Sequence, residues 1–132
     1  MNYAKKVNKP VLIDFSGYGC VNCRKMESAV WTESSVNSML TNDFVLITLF
    51  VDDKTSLNEP VTIIEQGKER ILRTVGDRNS YLQRHKFGAN AQPFYVILNH
   101  EGKHLAGSYS FDENPQNFID YLNIGLKNFK KD

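Results

Sequence analysis

"KPVLIDFSGYGCVNCRKME", Lys9 to Glu27, decides the reading of this chain. It joins an apolar run, two glycines, a pair of cysteines and the start of a helical pattern. Val11, Leu12, Ile13 and Phe15 are nearly continuous, the pattern of a strand covered on both faces. Gly17 and Gly19 loosen the backbone into a turn. From Val21 onward, Cys23, Met26, Glu27, Val30 and Trp31 share one stripe at three- and four-residue spacing, as on an amphipathic helix. Strand, turn and helix in that order set Cys20 at the helix start and Cys23 one turn further in. The chain has no other cysteine.

That placement has chemical consequences. Free N–H groups and the positive end of the helix dipole favour a thiolate at Cys20. Helix neighbours three apart lie roughly 5–6 Å apart, inside the span of a disulfide. The pair therefore opens and closes with little backbone movement. An accessible first thiolate attacks a partner and a shielded second thiol resolves the mixed disulfide. Such a pair after a strand-to-helix turn is a redox signature. Two other uses compete. A structural disulfide gains little from closing so short a loop. A zinc half-site needs two more ligands, and His85, His100 and His104 complete no familiar spacing. No metal and no organic cofactor is expected.

Asp14 interrupts the apolar strand. Either it is buried, with a raised pKa that suits proton exchange with a thiol, or it stands at a strand end in water. Glu27 follows Cys23 by four residues, on the same helix face. Either it tunes Cys23 or it pairs on the surface with Arg24 or a neighbouring lysine. Pro93, in "AQPF", opens another apolar run. A cis bond there sets backbone beside the cysteines and offers Gln92 main-chain groups to a substrate strand. The alternative is an ordinary trans proline at a strand edge.

The remaining pattern is α/β. "TESSVNSMLTND" suggests a short helix capped by Thr32 or Ser34, and "FVLITLFVDD" a second buried strand. Gln66-Gly67-Lys68 between two apolar stretches suggests a hairpin within 53–75. "GDRNSYLQRHKFG" reads as a helix ending near Gly88. "PFYVILN" is a strand, "HEGK" a turn and "HLAGSYSF" a paler strand. Asn114-Pro115 opens a last helix whose apolar face is Phe118, Tyr121, Leu122, Ile124 and Leu126. Trp31, Phe15, Phe50 and Tyr95 are assigned to the core, and Lys127, Lys130 and Lys131 to a solvated helix end.

Composition narrows the function. The 132 residues fit one domain, and 41% hydrophobic content supports a core without staples. Sixteen basic and fifteen acidic residues nearly cancel, with no basic face for nucleic acid. Phe44 to Val51, broken by Thr48, is too short to span a bilayer. "MNYAKKVNKP" has no apolar stretch behind it that reads as a signal peptide. The expectation is a cytosolic protein, or a domain whose targeting sequence lay upstream.

With these residues in place, the chain resembles thioredoxin-fold proteins over nearly its whole length. The resemblance is carried by "VLIDF", Cys20-Val21-Asn22-Cys23, "QPFYVIL", a hairpin and a final helix. It is closest to the C-terminal periplasmic domain of the DsbD thiol:disulfide interchange family. The specific features are Lys9-Pro10 before the strand, Val21 after the first cysteine, Arg24 after the second, and Glu27. The resemblance implies a three-layer α/β sandwich, a central mixed sheet with helices on both faces, as a single domain over 1–132. It implies that 53–75 is an insertion and that a short helix precedes the first strand. It implies a monomeric electron relay working in the reducing direction in the periplasm. Electrons would come from a membrane-embedded donor domain of the same larger protein. They would pass to periplasmic thiol–disulfide proteins, including those of cytochrome c biogenesis. Cys20 matches the attacking and Cys23 the resolving cysteine, Asp14 and Glu27 the carboxylates near the thiols, and Pro93 the cis-proline. Tyr18, Gly19, Gln92 and Pro93 then face the substrate. The chain departs from the wider pattern at Gly19, where tryptophan is common, and at Gln92, where a small or apolar residue is common. A stand-alone secreted reductase and a non-catalytic peptide-binding module around Tyr18, Gln92 and Pro93 are the alternatives.

Overall fold

β1 (Val11–Ser16) is buried at every position and occupies the middle of a three-stranded sheet, as its apolar run predicts. β2 (Val45–Phe50) pairs with it in parallel, from Val11↔Val45 to Ser16↔Phe50. A parallel pair needs a crossover, supplied here by α2 (Val21–Ala29) and α3 (Ser34–Asn42). β5 (Phe94–Leu98) lies antiparallel on the other side of β1, from Val11↔Leu98 to Phe15↔Phe94. The other elements are α1 (Asn2–Val7), β3 (Ser56–Glu65), β4 (Lys68–Thr74), α4 (Val75–Phe87) and α5 (Pro115–Lys131). The computed structural model describes residues 2–131.

Side-chain alternation along the strands sorts two cores. Leu12, Tyr95 and Ile97 meet Met26 and Val30 of the α2 segment, Val36 and Leu40 of α3, and Phe118, Tyr121 and Leu122 of α5. Val11, Ile13, Phe15, Val96 and Leu98 fill the opposite face, with Ala4 of α1 and Leu82 and Phe87 of α4. The result is the expected mixed sheet between two helical layers. Asp14 and Ser16 are in step with Leu12, so they sit on the face that α2 covers.

The hairpin forms as a separate two-stranded sheet, β3 with β4. Its two-residue turn is Gln66-Gly67, with φ of 52° and 76°. Both values are left-handed, as a type I′ turn requires. Glu65 ties the hairpin to α4 through Arg84, at 2.7 Å. α4 opens on a capping box between Thr74 and Asp77 and closes at Gly88, with φ of 66°.

Several expectations need correction. β2 is an edge strand and only half-buried, because no strand covers its outer side. Neither Thr32 nor Ser34 caps α3. Glu33 holds the cap position without a side-chain bond, and the Thr32 hydroxyl donates back to the Ser28 carbonyl. "HLAGSYSF" is not a regular strand. It touches β5 at Leu98↔His104 and Tyr95↔Tyr109, and the unequal spacing on the two sides leaves the residues between in a bulge. Ile124 is 52% exposed, and buried Gly125 takes the place against the sheet, beside Ile97. Phe15 and Tyr95 are buried as expected, but Trp31 and Phe50 are only partly so. Lys127 and Lys130 are exposed, and the Lys131 side chain lies outside the described residues.

Candidate active site

β1 delivers the chain into a tight turn in which the Cys20 N–H donates to the Gly17 carbonyl at 3.2 Å. Cys20 then caps α2: its Sγ accepts the Cys23 N–H at 3.1 Å. A sulfur at this position satisfies an amide that the first helical turn leaves free. Cys20 and Cys23 form a disulfide, with Cα atoms 5.3 Å apart. Cys20 is partly exposed and Cys23 is 2% exposed. The two residues thus differ in exposure.

Asp14 is 2% exposed, and its Oδ1 has no hydrogen-bond partner among the described residues. Burial first, and then the Glu27 charge, push its pKa up to about 7, against an opposing pull from Arg24. Of the two alternatives for Asp14, the buried one holds. Glu27 is half-buried and accepts from Arg24 Nη2 at 2.7 Å. Of the two alternatives set for it, the pair with Arg24 forms; its charge acts on Asp14, which the sequence reading did not foresee. Arg24 Nη2 also donates to the Ser16 hydroxyl at 3.1 Å, joining α2 to the end of β1.

The Gln92–Pro93 peptide is cis. Since Phe94 pairs with Phe15, Pro93 lies at the end of the sheet where β1 leads into Tyr18 and Cys20. Pro93 is buried, and Gln92 turns its side chain to Gln83 of α4, donating to Oε1 at 2.8 Å. Gln83 in turn donates to the Ala91 carbonyl at 2.8 Å. The polar residue before Pro93 is thus matched by a buried glutamine. Tyr18 is 59% exposed and stacks on Phe50, with ring centroids 4.0 Å apart. Gly19 is exposed beside it.

Two participants escaped the sequence reading. Phe50 belongs to this end of the sheet, and Asp52 accepts the Tyr18 N–H at 2.9 Å and the Gly19 N–H at 3.2 Å. The signal that finds them is parallel pairing: strand ends of a β1–β2 pair lie side by side, so residues after Phe50 meet residues after Ser16. The histidines stay apart, on Tyr81, Phe129 and Phe87 respectively. Among the described residues no group of three His, Cys, Asp or Glu side chains is placed to hold a metal.

Fold and site together define a thioredoxin-fold protein with the dithiol–disulfide site of a thiol–disulfide oxidoreductase. The chain belongs to the family of thioredoxin-like domains, whose model matches residues 1–123. No curated protein matches it by sequence. Solved structures share the fold. DsbH oxidoreductase superposes with a TM-score of 0.69 at 18% identity, over 96% of this chain and 78% of that one. A thioredoxin from Thermus thermophilus gives 0.62 at 16% identity, over 92% and 77%. The DsbD C-terminal domain of Neisseria meningitidis, in its oxidised form, gives 0.59 at 16% identity, over 92% and 85%. Among the described residues no helix is long and apolar enough to cross a membrane.

Proposed function

We propose that this chain relays electrons in the reducing direction, by dithiol–disulfide exchange with other proteins through Cys20 and Cys23. One arrangement carries the reading: partly exposed Cys20 caps α2 through its sulfur and is disulfide-bonded to buried Cys23, on the helix that covers the Asp14 face of the sheet. In the reduced state the Cys20 thiolate attacks one sulfur of a partner's disulfide. That S–S bond breaks, a mixed disulfide forms, and one partner thiolate leaves. Cys23 gives its proton to Asp14 and attacks Cys20 Sγ. The Cys20–Cys23 disulfide forms, and the second partner thiolate leaves. Two electrons pass to the partner, and the thiols' protons follow.

Tyr18, Gly19, Gln92 and cis-Pro93 surround the exposed sulfur's end of the sheet, and they form the proposed seat of the partner strand. The sequence resemblance of Lys9 to Glu27 to the DsbD C-terminal domain is the basis on which the proposal extends to periplasmic thiol–disulfide partners and an electron donor embedded in the membrane. Substitution separates the two cysteines. Cys23→Ser, mixed with a disulfide-bearing acceptor, should accumulate a mixed disulfide through Cys20, visible by mass spectrometry. Cys20→Ser should form none and lose exchange, because the attacking thiolate is gone. Full exchange by Cys20→Ser contradicts the assignment.

A further inference from the structure

The loop ahead of Cys20 is held by a segment that the exchange steps do not use. Asp52 receives the Tyr18 and Gly19 amides on its two carboxylate oxygens. Phe50 receives the Tyr18 ring face to face, with the planes 2° from parallel. Backbone and side chain of Tyr18 are therefore both fixed by one stretch of chain. That stretch is fixed in turn by α4. The Asn79 side chain donates to the Phe50 carbonyl at 3.0 Å, and the Gly76 N–H to the Asp53 carbonyl at 2.9 Å.

Asp52 also brings charge close to the nucleophile. A Cβ built on Gly17 would lie 3.4 Å from Asp52 Oδ2 and 3.4 Å from Cys20 Cβ, so carboxylate and cysteine are neighbours across Gly17. Burial opposes the Asp52 charge. The bonds from Tyr18 and Gly19, its own amide and Arg24 outweigh burial and hold the carboxyl below its usual range. It is an anion whenever Cys20 ionises.

We propose that Asp52 is a positioning residue for thiol exchange, which fixes the Tyr18–Gly19 approach to Cys20 and opposes the Cys20 thiolate by its charge. The proposal rests on the thiol–disulfide reading. It gives that reading a direction: a disfavoured thiolate makes the dithiol the better electron donor, the reverse of a pair whose reduced form is stabilised. The other ionisable groups around the pair are Arg24 and Glu27 on α2 and Asp14 on β1; Asp14 titrates near 7 within the profile, and all three are the same residues in every protein compared.

The test is the pH profile of Cys20 alkylation by iodoacetamide in the reduced protein, followed by mass spectrometry, for wild type, Asp52→Asn and Asp52→Ala. Asn keeps one acceptor for the loop and loses the charge; Ala loses both. Both variants should titrate at lower pH and react about three-fold faster below the thiol's pKa. Both should also show a less reducing couple in dithiothreitol buffer. Only Ala should then lose exchange rate with a protein disulfide, because only there is the loop untied. Unchanged Cys20 profiles in both variants would overturn the proposal. Alkylation needs no partner, so a wild type that alkylates normally but exchanges nothing would instead sink the thiol–disulfide reading.

Discussion

A carboxyl pushed up to about 7 costs the folded state stability once it ionises. Unfolded, Asp14 titrates near 3.8. Between those two values the native state binds more protons than the unfolded state, so stability falls as pH rises from about 4 to about 7. A shift of this size is on the order of 4 kcal/mol, fully felt above pH 7. Asp14→Asn cannot ionise. Its stability relative to wild type should therefore grow as pH rises, in urea unfolding of the oxidised protein at pH 4, 6 and 8. A constant gap across that range would contradict the assignment. Asp14 was legible in the sequence because a single charge stood inside a buried run. Its face was not read, because a run covered on both sides gives no apolar–polar alternation to orient it. Asp52 was not, since "FVDD" looks like any polar strand end until the parallel partner is known.

At the scale of elements, the start of α4 sets the site. A Cβ on Gly76 would lie 2.7 Å from Asp53 N, Asp53 O and Val51 O. All three are backbone atoms, so they cannot rotate away. Gly76→Ala should cost roughly 1–3 kcal/mol and move the 51–53 segment, with Asp52, off the Tyr18–Gly19 loop. Gly125→Ala offers the control. There the added Cβ meets the Ile97 side chain at 2.6 Å, at the α5–β5 contact. Both variants should melt earlier in thermal unfolding, but only Gly76→Ala should change the Cys20 alkylation profile. Helix α4 and the β3–β4 hairpin were readable from Gly88 and Gln66-Gly67, whose left-handed backbone the fold requires. The cap of α3 and the strand after "HEGK" were misread. Hydroxyls near a helix start also bond backwards, and a bulge leaves no mark in a run of small and polar residues.

Over the whole molecule, the site is assembled from three places that lie far apart in sequence. The turn after β1 and the start of α2 carry the cysteines, the segment after β2 carries Asp52, and the cis-proline precedes β5. Sheet order brings them to one end: parallel pairing aligns the ends of β1 and β2, and antiparallel pairing sets the start of β5 beside them. The cysteines, Asp14 and Pro93 could be picked out singly from sequence, but the contacts among the three segments follow only from topology. The hairpin stands outside this convergence, and its ties run to α4 through Glu65 and Arg84. The most direct test of the account is the reduction potential of the Cys20–Cys23 couple, equilibrated against dithiothreitol and glutathione buffers. The account predicts a reducing couple near ~−270 mV, the thioredoxin end of the scale. A value near ~−120 mV, the strong-oxidant end, would reverse the proposed flow and contradict it.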